Sequence, residues 1–186
     1  MARRQHTLSI DDGPFEKRRD REVWAVGVVT AGSGLVEGVL TTRLAVDSGG
    51  VTDRLALWVN GSRFRPSLRA VFIQGITIAG LSVVDLPLFH RLTGLPVISV
   101  DRKAPVSGRL EETLRKLGLG DRIAALEAAG PFHEITGLVF TCAGASPEEA
   151  RRLIGENRGR SRLPEGIRIA HLIARAITLG ESRGRA

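Results

Sequence analysis

The sequence predicts an α/β fold, a mixed sheet in which an antiparallel meander leads into parallel crossover strands, with helices on its faces. Three observations carry this expectation. Short apolar runs fill residues 8–46, separated by a charged stretch and a glycine turn, which reads as strands with short connections. Two nearly all-apolar runs, 68–73 and 96–100, bracket a helical pattern, and such a unit closes as a right-handed crossover with parallel strands. Beyond Lys103 helical periodicity dominates.

Each element follows in order. Leu8 and Ile10 mark a first strand that stops at Asp11-Asp12-Gly13-Pro14. Residues 16–22 form a dense charged loop. Residues 23–29 are a strong strand, 32–34 a turn, 35–40 the returning strand and 41–46 a third strand. A loop at 47–50 leads to a short helix at 52–60 that carries Leu55, Leu57, Trp58 and Val59. After the strand at 68–73, residues 74–80 form a glycine-containing connection. The pattern at 83–93 is helical, stopped by Gly94 as a left-handed cap. Helices follow at 108–117 and 121–129, then a strand at 135–142. Ser146-Pro147-Glu148-Glu149 is a helix start, with Ser as N-cap, Pro in the first position and Glu three residues after the cap; this helix runs to about Asn157. An amphipathic C-terminal helix spans about 164–180, with Ile169, Leu172, Ile173, Ala176 and Ile177 on one apolar face and arginines elsewhere. No repeat or low-complexity segment interrupts residues 1–186, which read as a single domain. An antiparallel meander followed by parallel crossover strands is the layout of the ribonuclease H-like fold, in which the first strand lies in the centre of the sheet.

Composition narrows the class. With 42% apolar residues and no apolar run near the ~20 residues that span a bilayer, the chain reads as a soluble globular protein rather than a membrane one. One cysteine, Cys142, excludes an intrachain disulfide and a multi-cysteine zinc site, and reads as a buried small hydrophobe. A cytoplasmic location is the simplest expectation. Charge is uneven: residues 151–186 hold nine Arg and three acids, so they carry +6 of the net +7. Arginine is the better fork for phosphate, and a clustered basic face is the footprint of nucleic-acid binding. The alternative is a solvated surface in a chain that uses Arg in place of Lys.

The chemistry centres on Asp11 and Asp12. Acids at the end of a strand sit at the sheet edge, where open α/β folds place ligands and metals; Asp-Gly is also a turn signal. Carboxylates held close together repel unless a divalent cation separates them, and Mg²⁺ or Mn²⁺ suits an all-oxygen site. Such a metal activates water and steadies the leaving oxygen of a phosphodiester. Asp53 reads either as a ligand or as a helix-start residue. Asp101, one step past a strand, is either a further ligand or the partner of Arg102 or Lys103 in a loop ion pair. Asp85 is a buried polar anchor or a cleft residue, and Asp47 belongs to a turn. His6, His90, His133 and His171 are scattered without metal-ligand spacing, and His90 reads as structural. Gly75, Thr77 and Gly80 could cradle phosphate but match neither a P-loop nor a dinucleotide fingerprint.

The segments Ile10-Asp11-Asp12-Gly13-Pro14-Phe15, Gly75-Ile76-Thr77, Val84-Asp85, Gly94-Leu95-Pro96-Val97-Ile98 and Arg102-Lys103 together resemble an archaeal family catalogued as a domain of unknown function, number ninety-nine, which is itself similar to endonuclease V. That resemblance implies a metal-binding Asp on the first strand, matched by Asp11, and a second acidic ligand whose nearest match is Asp53. A third acid that ends the next buried strand in the nucleases is Gln74 here. The resemblance gives Lys103 or Arg102 the place of a basic residue that stabilises phosphate charge. The base-recognition wedge of the nucleases has no counterpart in this sequence.

The leading expectation is an endonuclease V-like protein that hydrolyses nucleic-acid phosphodiesters with Mg²⁺ or Mn²⁺. Asp11 and Asp53 would hold the metal with Asp12 or Asp101, Lys103 would serve catalysis, and Arg102, Lys103, Arg158, Arg160 and Arg162 would contact DNA or RNA. Gln74 favours the alternative of a binding module of the same fold without catalysis. A scaffold for a protein or small molecule is the third reading.

Overall fold

A computed structural model describes residues 6–103 and 108–183. The first strand, β1 (His6–Asp12), pairs antiparallel with β2 (Glu22–Ala31), which pairs antiparallel with β3 (Leu35–Ala45). On its other side β1 pairs parallel with β4 (Leu68–Gln74), which pairs parallel with β7 (Val97–Asp101). A hairpin of β8 (His133–Ile135) and β9 (Leu138–Ala143) completes a seven-stranded sheet in the order β3-β2-β1-β4-β7-β9-β8. The mixed sheet with β1 in its interior is the predicted ribonuclease H-like architecture.

Helices cover both faces. On one side lie α1 (Val51–Asn60), α2 (Leu86–Thr93), α3 (Arg109–Lys116) and α4 (Ile123–Ala128), which share one apolar cluster with Leu8, Ile10, Val71 and Ile73. On the other side α5 (Pro147–Glu156) packs over Phe72, Ile98 and Phe140, and α6 (Glu165–Leu179) lies over β1 and β2 through Ala170 and Ala174. Strand side chains alternate between faces, so β1 sends Leu8 and Ile10 to the first cluster and Ser9 and Asp11 toward α6.

Several local expectations are corrected. The two strands expected at 35–40 and 41–46 form one long strand, β3, that ends at Ala45, because nothing between Leu40 and Thr41 breaks it. Gly38 stays within β3 because a Cβ there would meet the Phe64 ring at 2.2 Å. The helix expected from 83 begins at Leu86; Asp85 is its N-cap, accepting the Leu88 N–H at 2.8 Å. Val83 belongs instead to a small hairpin of β5 (Thr77–Ile78) and β6 (Ser82–Val83). The strand expected at 135–142 is folded back at Thr136 and Gly137, which both take left-handed conformations. The helix expected from 121 starts with a 3-10 turn, and α4 proper begins at Ile123.

The C-terminal helix is present, yet its packed face is not the expected one. Gly166, Ile167, Ala170 and Ala174 are buried, whereas Ile177 is 43% exposed. Small residues win because the helix lies very close to the sheet. A Cβ on Gly166 would meet Ser9 Oγ at 2.5 Å, and one on Gly13 would meet Thr178 Oγ1 at 2.9 Å. The expected arginines lie mainly in the loop before the helix.

Gly166→Val should therefore lift α6 from β1. Overpacking of this kind costs about 1–3 kcal/mol, and thermal unfolding should show a lowered Tm. A Tm equal to wild type would mean that the helix does not need this close approach.

Candidate active site

Asp11 and Asp12 end β1 in the sheet interior, and alternation sends them to opposite faces. Asp11 is buried, and its Oδ2 lies 2.9 Å from Nδ1 of His171 on α6, while its Oδ1 accepts the Asp12 N–H at 2.9 Å. Asp12 points to the other face, where its Oδ2 accepts the Ala79 N–H at 2.5 Å in the β5–β6 hairpin. That hairpin is pinned by Asp47, whose Oδ1 accepts the Leu81 N–H at 2.7 Å, and by Arg122, which donates to the carbonyls of Leu81 and Asp47.

Both carboxyls are held above the ordinary carboxylate range. Burial is the largest cause for Asp11, opposed by the hydrogen bond and charge of His171. Burial pushes Asp12 up to about 6, the Asp11 charge adds to it, and the Ala79 N–H opposes it. Ionising these groups in the fold costs energy, and carboxyls raised in this way recur at functional sites.

Gln74 ends β4 one residue beyond the pair Ile10–Ile73, so it extends the register to stand beside Asp11 and on the same face. Its Oε1 is buried and has no hydrogen-bond partner. A lone carbonyl oxygen beside a carboxylate is a pair of hard oxygen donors. The two fit a Mg²⁺-type ion that completes its shell with water and phosphate. Among the described residues, no group of three or more His, Cys, Asp or Glu is placed to hold a metal ion. The expected set Asp11, Asp12, Asp53 and Asp101 is not brought to one point.

The other expected residues take separate places. Asp53 is exposed in the first turn of α1, where the helix dipole favours it. Asp101 ends β7 on the Asp12 face and lines a cavity of about 400 Å³ with Lys103. Arg102 is exposed, and its N–H bonds Asp101 Oδ1 at 2.5 Å. Arg158 is occupied, donating to the Arg162 carbonyl of its own loop at 2.9 Å and to Thr136 Oγ1 of the β8–β9 turn at 2.9 Å. Arg160 and Arg162 are exposed. Their loop follows Asn157, which is bonded to Thr7 at the start of β1, the end opposite Asp11. His90 is structural, with Nδ1 2.9 Å from the Leu95 carbonyl, and Cys142 is half-buried against the α5 side of the core.

His171 is the residue that sequence spacing missed. It lies 160 positions from Asp11, so no local motif joins them. The available signal was the small-residue row Gly166, Ala170 and Ala174, which marks a face pressed against the sheet with His171 on its flank.

Comparison with known proteins agrees with this fold. The crystal structure of endonuclease V from Ciona intestinalis, in complex with a DNA containing an inosine followed by a ribo-adenosine, superposes with a TM-score of 0.59 at 11% identity, covering 89% of this chain and 82% of that one. At that identity the likeness shows the fold alone. A crystal structure of a protein of unknown function from Archaeoglobus fulgidus is nearer, with a TM-score of 0.86 at 36% identity over 93% of this chain and 98% of that one. A UPF0215 protein of Methanopyrus kandleri is 41% identical over 182 residues, 94% of this chain and 92% of its own. Residues 3–178 match the family model described as endonuclease dU, and the chain belongs to that family. Among the described residues, no helix is long and apolar enough to cross a membrane.

The raised carboxyl of Asp12 gives a pH test. Its folded pKa lies above its unfolded value of 3.8, so between pH 4 and 6 the folded state binds more protons and stability falls as pH rises. Asp12→Asn removes this loss and keeps an oxygen for the Ala79 N–H. Thermal unfolding should find the variant more stable by about 1–3 kcal/mol at pH 7 and close to wild type at pH 4. A difference that is the same at both pH values would contradict the assignment.

Proposed function

We propose that this protein is an endonuclease that hydrolyses nucleic-acid phosphodiesters at the edge of the sheet where Asp11 and His171 meet. One observation carries the reading. A buried carboxylate on an interior strand is hydrogen-bonded at 2.9 Å to a histidine from a distant helix. The histidine side chain is 24% exposed and the carboxylate 7%, so His171 is the member that faces substrate and Asp11 the one that orients it.

The division of labour follows from the donor inventory. An ionised Asp11 only accepts, so His171 Nδ1 carries the proton and Nε2 keeps a lone pair. That nitrogen takes the proton from the attacking water as the new P–O bond forms. The P–O bond to the leaving oxygen breaks, and that oxygen takes a proton from solvent. Asp11 stabilises the imidazolium, as a carboxylate partner does in other histidine-based sites. A divalent cation, held by Asp11 and Gln74 Oε1, would supply positive charge for the phosphate. The family's description points to deoxyuridine in DNA as the site of attack.

The phosphates need cations around this edge. Lys17, Arg18, Arg19 and Arg21 are exposed in the loop that follows β1, close to the carboxylates in sequence and at the same end of the strand. They supply a backbone contact there, with Arg102 and Lys103 beyond β7 on the same edge.

A binding module without catalysis is the second reading, favoured by Gln74 in place of an acid. It requires salt-dependent affinity for nucleic acid that divalent metal does not alter.

A nicking assay decides between them. Single- and double-stranded DNA, with and without one deoxyuridine, is incubated with the protein and Mg²⁺ or Mn²⁺. Wild type should nick the substrate, and Asp11→Asn and His171→Ala should each be slower by about 100-fold or more, the scale of a lost general base. No nicking by wild type, or equal nicking by wild type and both variants, would refute hydrolysis at this centre.

A further inference from the structure

One turn after His171, α6 carries a cation that the hydrolytic step leaves unused. Ile167 packs with Phe72, Ile98 and Phe140 on one flank of the helix, while Ile169 and Ile173 pack with Val26 and Val28 on the other. His171 and Arg175 stand four and eight positions after Ile167 and follow the flank turned toward β4. Gly13 fixes how this last stretch of helix lies on the strand end. A Cβ there would meet the Ala174 carbonyl oxygen at 3.0 Å and Thr178 Oγ1 at 2.9 Å. Arg175 comes between these two in sequence, so it stands level with the chain just past Asp12. It lies about 6 Å further along the helix than His171.

Arg175 has nothing to hold. It is half-buried, and its Nε is buried without a hydrogen-bond partner. Among the described residues the side chain makes no hydrogen bond and no ion pair. Asp11 does not serve it, because Oδ2 is engaged by His171 and Oδ1 by the Asp12 N–H. Arg168, the arginine one turn before His171, differs, since its Nε donates to Glu165 Oε1 at 3.0 Å. Gln74 Oε1, on the Asp11 face, is also buried and unpaired. A donor and an acceptor, both stripped of water and neither bonded, thus flank the pair of Asp11 and His171. A buried donor without an acceptor costs stability, and an acceptor that arrives with the substrate removes that cost.

We propose that Arg175 is a further catalytic residue, which grips the phosphate under attack by donating from Nε and one terminal nitrogen to its two non-bridging oxygens. The inference rests on the nuclease reading above and adds the group that holds the phosphate against His171. A guanidinium presents parallel N–H donors that match two phosphate oxygens. Its charge counts most as the reaction proceeds. The attacking oxygen brings an electron pair to phosphorus, and the non-bridging oxygens gain negative charge until the leaving oxygen departs with the pair of the broken P–O bond. Arg175 transfers no proton; His171 takes the one that water gives up. Lys17 and Arg18 are exposed and stay hydrated, whereas Arg175 Nε has already shed its water, so its charge acts on the phosphate with less screening.

Two variants test the assignment. Arg175→Met fills similar space without the charge or the unpaired donor, and its thermal midpoint should match wild type. Affinity for an end-labelled single strand is measured by fluorescence anisotropy over a range of salt, in EDTA so that nothing is cleaved. The slope of log affinity against log salt should be shallower for Arg175→Met by about 0.7, the mark of one lost phosphate contact. Arg175→Lys keeps the charge and should keep the wild-type slope. In single-turnover nicking of deoxyuridine DNA with Mg²⁺, Arg175→Met should be slower by about 100-fold, the scale of one lost transition-state donor. Its pH profile should keep the wild-type shape, because a guanidinium stays charged throughout. A wild-type slope in Arg175→Met, a slope that falls as far in Arg175→Lys, or wild-type nicking by Arg175→Met overturns the proposal. If the slope falls and wild type does not nick, the hydrolytic reading fails and the phosphate contact stands; if wild type nicks and the slope is unchanged, the phosphate contact fails and the hydrolytic reading stands.

Discussion

Helix α6 brings His171 to Asp11 only because the layer between helix and sheet is thin. Gly166, Ala170 and Ala174 form the inner row of the helix, and Gly13 continues the chain just past β1. Ser9 Oγ and the Ala174 carbonyl occupy the space that larger side chains would need. Close seating is costly in apolar burial, since Ala and Gly bury little area. The nearby stripe of Ile169, Leu172 and Ile173, which would bury more, is left partly exposed. Position, rather than maximal burial, has determined how this helix lies.

The same closeness sets the electrostatics. Asp11 is covered by α6 and Asp12 by the β5–β6 hairpin, so two adjacent carboxyls lose water on opposite faces of one strand. Each receives partial compensation, a histidine for one and a backbone N–H for the other, and burial still prevails in both. Gln74 adds an unpaired oxygen to the Asp11 side without adding charge. A neutral amide in place of a carboxylate lowers the repulsion between neighbouring strands and weakens the hold on a cation. On the proposed reading, two oxygen donors from the protein would leave a cation most of its shell for water and phosphate.

Much of the sheet was legible because its signals are local. Apolar runs, the Gly32–Gly34 turn and the Ser146 cap each announce themselves within a few residues, and the crossover rule then orders β4 and β7 as parallel neighbours. Errors fell where tertiary contacts override local pattern. Val83 and Val84 read as helix until the hairpin and the Asp85 cap claim them, and Thr136 takes a left-handed turn that β-branched residues ordinarily avoid. The acids on β1 were visible in sequence because they end a strand. His171 was not, since its partnership spans the chain and depends on which face of α6 is pressed to the sheet. Periodicity alone chose the larger residues, Ile169 to Ile177, and the packing chose the smaller ones.

The central claim is that Asp11 and His171 act as one unit. A double-mutant cycle measures that directly, using single-turnover nicking rates of wild type, Asp11→Asn, His171→Ala and the double variant on one deoxyuridine substrate with divalent metal. If the pair works as a unit, the double variant should be about as slow as the slower single variant. Losses that multiply to the full product of the two single effects would show two independent residues and contradict the account.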